Sequence, residues 1–350
     1  MMYSRWRYAP LNLLRTVSTR RRSSSTSVKM TDQETTVQSQ TAAMAGELDR
    51  RELVLIQQQD FRTNAFQIIE KMVDWCNKTV GSKHLVDEIL HSIFFLGKIN
   101  IGPFSPEEII PDEDMFIQLK EQYSRPFECF ETQLPRRSPF SCVLDMVVLL
   151  TGPENENQIK QTLRDLVIIL KPGFLVSSTI CVSKSNKSSK QYGVSMSTTG
   201  PNAGRIVIAA SCLSSYWDEY VADAVMTYYP VKTKKDYFDG TIKVPEDVTC
   251  RAYSINCGSE MEPCKSCGNL FGLHTTCQKE WPYGHCAEVE SLSNLFEKEK
   301  EVKEQSKPTS DTYTPENTEK VRNYTLQELS KILKMIKFNT WTGEFYRASI

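Results

Sequence analysis

Apolar residues recur every three or four positions through the first patterned part of the chain. Leu48 to Gln59 reads as a charged helix. Phe61, Ala65, Ile68, Ile69, Met72, Val73 and Cys76 then fall on one helical face. Gly81 breaks this run. His84 to Ile99 repeats the pattern with Leu85, Ile89, Leu90, Ile93 and Phe94, and Pro111-Asp112 opens a third helix reaching Tyr123. Three such helices can pack as a bundle and offer a surface to a protein partner. His84 and His91 lie in this region without acidic or thiol neighbours, which marks them as packing residues rather than ligands.

Beyond a loop from Pro126 to Pro139 the pattern changes. Cys142 to Leu150 is apolar throughout, and its periodicity cannot separate a buried strand from a short helix. Glu154 to Leu170 is an amphipathic helix stopped by Lys171-Pro172-Gly173. Phe174 to Val182 alternates and is rich in β-branched residues, and Tyr192 to Ser197 and Arg205 to Ala210 read as two more strands separated by polar turns, Thr199 to Gly204 being one. They are expected to be antiparallel strands. A helix over Ser214 to Tyr229 follows, then short strands at Thr241 to Val244 and Val248 to Ile255. A helix from Cys286 to Lys298 leads into the charged segment Glu297 to Lys320. Leu326 to Phe338 is the last amphipathic helix. The fold class predicted is α/β (α+β): a mainly antiparallel mixed sheet flanked by helices, with a helical N-terminal region. The corresponding segments are 1–46 (disordered), 47–125 (helical), 140–298 (α/β), 299–323 (charged linker) and 324–350 (C-terminal helix).

Composition narrows the function only slightly. A net charge of −1 over 350 residues provides no global field to recruit nucleic acid. No stretch has the roughly 18 apolar residues of a membrane span. Residues 1–29 carry seven basic side chains and no acid, the composition of a mitochondrial transit peptide. Met30-Thr-Asp-Gln-Glu equally resembles an ordinary cytosolic start. The expected location is therefore cytoplasmic, with mitochondrial as the alternative.

Cysteine changes the picture most. Six of the eleven lie between Cys250 and Cys286. No apolar run before a small-residue cleavage site argues for secretion, so reduced thiols serving a metal are the better reading than disulfides. In Pro263-Cys264-Lys265-Ser266-Cys267, two cysteines three apart can aim at one ion when the second lies in the first turn of a helix. The helix start also favours the thiolate, the form that binds metal. Zinc takes four ligands, and a catalytic zinc keeps one position for water. Cys286 is the natural third ligand, because Glu288 follows it by two residues and can face the same pocket. Such a carboxylate would shuttle the water's proton.

Pro-Cys-x-x-Cys together with Cys286-Ala287-Glu288 resembles the signature of the zinc-dependent cytidine deaminase superfamily. There a His or Cys, any residue, then Glu stands on one helix and Pro-Cys-x-x-Cys on the next. The resemblance implies Cys264, Cys267 and Cys286 as zinc ligands, Glu288 as proton shuttle and a nucleobase-like small molecule as substrate. The order is reversed here, since the cysteine pair precedes Cys286-Ala287-Glu288. Two other readings of the residues stay open. One is a closed structural zinc built from Cys264, Cys267 and two of His274, Cys277, His285 and Cys286, in a non-enzymatic interaction protein. The other is a metal-free cluster of buried thiols. Phe271, Trp281 and Tyr283 are candidates to stack a base, or simply to pack.

Overall fold

A computed structural model describes residues 56, 58–186 and 188–348. The expectations for residues 1–46 and for the first part of the Leu48 to Gln59 helix lie outside the described residues. Helix α1 spans residues 58–76, α2 Lys83–Lys98, α3 Pro106–Ile109, α4 Glu113–Gln122, α5 Ser124–Cys129, α6 Pro139–Thr151 and α7 Glu156–Ile169. The hairpin β1 (Thr179–Lys184) and β2 (Gln191–Val194) follows, then α8 (Pro201–Leu213) and α9 (Glu219–Tyr228). Strands β3 (Thr249–Ser254) and β4 (Glu260–Met261) complete a four-stranded antiparallel sheet of order β2-β1-β3-β4. Helices α10 (Lys265–Phe271), α11 (Ala287–Lys298), α12 (Lys300–Gln305) and α13 (Pro315–Met335) end the described elements. The fold is therefore mixed α/β, with helices flanking a small antiparallel sheet, as its patterning predicts.

Several elements differ from expectation, each for a physical reason. Arg205 to Ala210 is not a strand but the middle of α8. Ile206, Val207 and Ile208 suggest β propensity. The helix is buried nearly all round, so no amphipathic period survives, while Pro201 is comfortable in its first turn. Thr199 to Gly204 accordingly begins that helix instead of joining two strands. Thr241 to Val244 is not a strand and pairs with none. The Ile242 and Val244 amides instead donate to the Leu270 and Phe271 carbonyls at the open end of α10. Cys142 to Leu150 is helical, within α6, and Ser124–Cys129 is helical where a loop was expected from Pro126. The charged segment 299–323 contains α12 and the first turns of α13.

The packing of α11 on the sheet decides where the site lies. One cross-strand row reads Gly193–Cys181–Ala252, all small. Ala287 packs on Cys181 and Ala252, and the Ser183 and Ser291 hydroxyls meet at 2.6 Å. The closest approach is at Gly193. A Cβ there would stand 2.3 Å from the Ser291 amide nitrogen and 2.5 Å from the Ala287 carbonyl oxygen. The outer edge of β2 is covered from the same helix: Glu290 accepts from the Val194 amide at 2.8 Å, and Asn294 donates to the Tyr192 carbonyl at 2.8 Å. The Met196 amide donates to the His285 carbonyl at 2.9 Å, just before α11 starts. The start of α11, with Cys286 as its N-cap, is thus clamped to the sheet.

On the other face of the hairpin, Ile180, Val182, Tyr192 and Val194 enter the main core. Helix α2 packs on α5 and α6, and α13 on α8 and α9. The C-terminal segment straps the helical layer: the Tyr346 amide donates to the Leu134 carbonyl at 2.8 Å. Its buried ring stacks on His91 at 3.8 Å, and its hydroxyl donates to Asp87 at 2.6 Å. His91 is therefore a packing residue, and His84 lies elsewhere, its Nδ1 2.9 Å from the Gly81 carbonyl. No helix among the described residues is long and apolar enough to cross a membrane.

Candidate metal centre

Cys264 is the N-cap of α10, Cys267 sits in its first turn, and Cys286 caps α11. Two helix starts distant in sequence therefore meet. The Cys264 sulfur lies 3.6 Å from that of Cys267 and 3.3 Å from that of Cys286, and all three lie within 4.8 Å of one another. Thiolates around a tetrahedral zinc, at about 2.3 Å from it, stand about 3.8 Å apart. The cluster is close to that spacing and could hold a metal ion.

The surrounding loops hold this arrangement in place. The Lys265 amide donates to the Lys279 carbonyl at 3.0 Å, tying the returning loop to the start of α10. Glu262 accepts from the Thr276 hydroxyl at 2.8 Å, and Ser266 donates to the Trp281 carbonyl at 2.6 Å. Gly272 ends α10 in the left-handed conformation, at φ +65°.

The electrostatics of the three thiols are those of a site short of positive charge. Sulfur–sulfur hydrogen bonds from Cys267 and then Cys286 pull Cys264 down to about 2, against the opposing effect of burial. The contact with Cys264 pushes both Cys267 and Cys286 well above the ordinary thiol value, with burial adding to the rise. One thiolate forms readily and a second or third does not, unless a cation shares the site. Glu288 is 4 % exposed, and burial first, with the Cys264 charge behind it, raises its carboxyl to about 7.

The other predicted ligands do not join the cluster. His274 is exposed and Cys277 half-buried. His285 turns toward Gly204, where an added Cβ would stand 3.0 Å from its ring. Among the described residues, Cys264, Cys267 and Cys286 are the group of histidine, cysteine or acidic side chains gathered tightly enough to hold an ion. The aromatic candidates separate too. Phe271 is core, and Tyr283 stacks on Tyr228 at 3.8 Å. Trp281 is 42 % exposed under the Lys279 ammonium at 3.7 Å.

Sequence reasoning missed Glu290. It lies one helical turn beyond Cys286 and is buried, accepting from Tyr216 at 2.9 Å, from Ser141 and from the Val194 amide. Its only signal was an acid on the inward face of an amphipathic helix. Comparison with known proteins returns no match: no family model, no curated protein and no solved structure resembles the chain. The fold and the site together define a mixed α/β protein carrying a cluster of three cysteines that could hold a metal ion.

Proposed function

We propose that the chain is a zinc-dependent hydrolase of deaminase type, acting on a nucleobase-like small molecule. The observation that supports this most is the meeting of three sulfurs from two helix starts, with a buried carboxyl two residues beyond the third. Cys264, Cys267 and Cys286 would hold the zinc. A zinc bound with one open position supplies Lewis acidity that brings the pKa of a water near neutrality. Glu288 is the residue of this chain that handles the proton. Its burial keeps the protonated form accessible near neutral pH, so it can take a proton from water and return it to the leaving nitrogen. The clamp between α11 and the sheet keeps Glu288 in register with Cys286.

The test is metal content followed by turnover. Purified protein is expected to hold one zinc per chain, and Glu288→Gln should keep the zinc while losing ammonia release from the active members of a panel of bases and nucleosides. Zinc that survives Cys286→Ala refutes the ligand set. A second reading, a structural metal in a non-enzymatic protein, draws support from the depth of the cluster: Cys267 is fully buried and Cys264 is 8 % exposed. On that reading Glu288→Gln changes neither zinc content nor any partner interaction, and no base or nucleoside releases ammonia.

A further inference from the structure

A second pair of sulfurs meets beneath the first turn of α11, outside the metal cluster. The Cys181 and Cys250 sulfurs lie 3.4 Å apart, on adjacent strands. In the β1–β3 register Cys181 faces Ala252 and Ser183 faces Cys250, so the two cysteines are diagonal neighbours on one side of the sheet. That side carries α11: Ala287 packs on Cys181 and Ala252, with Cys250 at the margin. The Ser183 hydroxyl donates to the Cys250 sulfur at 3.3 Å and meets Ser291 of α11 at 2.6 Å.

The two thiols differ in access. Cys181 is wholly buried and Cys250 half-buried. β4 pairs with β3 only at Ala252 and Tyr253, so among the described residues no strand flanks Cys250 on its outer side. Burial, and then the contact with Cys250, pushes the Cys181 thiol well above its ordinary value. An oxidant therefore meets Cys250 first, and Cys181 is the thiol placed to complete a disulfide. Closing to an S–S bond of about 2.05 Å takes about 1.4 Å of movement from the present contact. Diagonal partners in an antiparallel pair stand about 7–8 Å apart at Cα, against about 4.4–6.8 Å for most disulfides. Bond closure therefore draws β1 and β3 together where Ala287 is seated, and the strain leaves the bond easy to reduce.

We infer that Cys181 and Cys250 form a reversible oxidation site, a dithiol that a peroxide converts to a disulfide and that loosens the seat of α11 when it closes. This goes beyond the proposed function and touches it at one place, since α11 starts from Cys286. The Cys250 sulfur attacks one oxygen of hydrogen peroxide. The O–O bond breaks, Cys250 becomes a sulfenic acid, and the second oxygen leaves as water with the thiol proton. The Cys181 sulfur then attacks the Cys250 sulfur. The S–O bond breaks, and the hydroxyl departs as water with the Cys181 proton. The dithiol gives up two electrons and two protons, and one peroxide becomes two waters. A thiol reductant reverses the change by exchange.

Brief treatment of the purified full chain with hydrogen peroxide, followed by alkylation and peptide mapping, tests the site. The peptides holding Cys181 and Cys250 should emerge joined, and separate again after a thiol reductant. Amide hydrogen exchange along the first two turns of α11 should quicken in the oxidised chain and slow again on reduction. Zinc held by the chain should bind at least about ten-fold more weakly after oxidation, the effect of losing support behind a ligand. Cys250→Ser treated in the same way should show none of these changes. Absence of the Cys181–Cys250 link, a link that leaves α11 exchange unaltered, or the same quickening in Cys250→Ser overturns the inference. If Cys250→Ser does not fold, mapping and exchange on the wild-type chain decide alone. Metal content before oxidation separates the two ideas. A chain without zinc refutes the metal reading only, and mapping with exchange still judges the dithiol.

Discussion

Replacing Gly193 by alanine probes the contact on which the site depends. The residue lies mid-strand in β2, directly opposite Cys181, and α11 crosses it at backbone contact. The new methyl would stand 2.3 Å from the Ser291 nitrogen, 2.5 Å from the Ala287 oxygen and 2.9 Å from the Glu290 carbonyl carbon. All three are helix backbone atoms, so no side chain can rotate aside; the helix must move away from the sheet. Overpacking of this kind costs about 1–3 kcal/mol, and a backbone clash belongs at the upper end. Alanine also restricts the unfolded chain, which returns about 0.4–1 kcal/mol. The net expectation is a loss of about 2 kcal/mol, read in urea as a lower midpoint with an unchanged slope. Displacing α11 also moves Cys286 relative to Cys264 and Cys267, so zinc affinity should fall in the same variant. A midpoint within about 0.5 kcal/mol of wild type, with zinc affinity intact, would refute the claim that this contact sets the position of the site.

Three further outcomes are expected. Cys264→Ala, Cys267→Ala and Cys286→Ala should each lose stoichiometric zinc while Cys277→Ala retains it, by metal analysis after dialysis. Tyr346→Phe removes the hydroxyl that donates to buried Asp87 and should cost about 1.5–3 kcal/mol in chemical denaturation; an unchanged midpoint would show that the C-terminal strap does not anchor α2. Burial raises Asp223 to about 6 despite the Tyr313 hydrogen bond, and its Oδ1 has no partner. An acid with a raised folded pKa binds more protons folded than unfolded, so its ionisation destabilises the fold as pH rises from about 4 to 6 and the full penalty persists above. Relative to Asp223→Asn, the wild-type chain should therefore lose up to about 3 kcal/mol across that window, and parallel stability curves would contradict it.

Much of this molecule is legible in its residues. The helix at 156–169 carries a three-to-four-residue apolar period because it has one face in the core and one in water. Those at 83–98 and 287–298 keep the period although buried nearly all round, because their second face buries polar side chains such as Asp87, Glu88 and His91 or Glu288, Glu290 and Ser291, and the helix at 113–122 shows in its Pro111-Asp112 start. Strand β1 shows in its β-branched run Thr179 to Val182. The cysteine spacing identified Cys264 and Cys267 as a pair, since thiols three apart at a helix start can reach only a small volume, and Cys286 was singled out by Glu288 two residues beyond it. In α8 the residues buried all round are apolar or small, so no period remains and its β-branched run looked like a strand. The Thr241–Val244 segment misled differently: its backbone hydrogen bonds go to the end of a helix, not to a strand.

Sequence alone determined most of the elements, the small residues at Gly193, Ala252 and Ala287, and the ligand types available. Only the tertiary structure decided that Cys286 rather than Cys277, His274 or His285 completes the cluster. It alone placed Arg137 and Glu290 in one crevice with Cys286 and paired Arg137 with Glu88 and Asp145, although Glu88 and Glu290 lie far apart along the chain. Periodicity records which face of a segment is buried. What that face meets is settled by packing, where one missing Cβ lets a helix approach a strand and holds Cys286 where its sulfur meets those of Cys264 and Cys267.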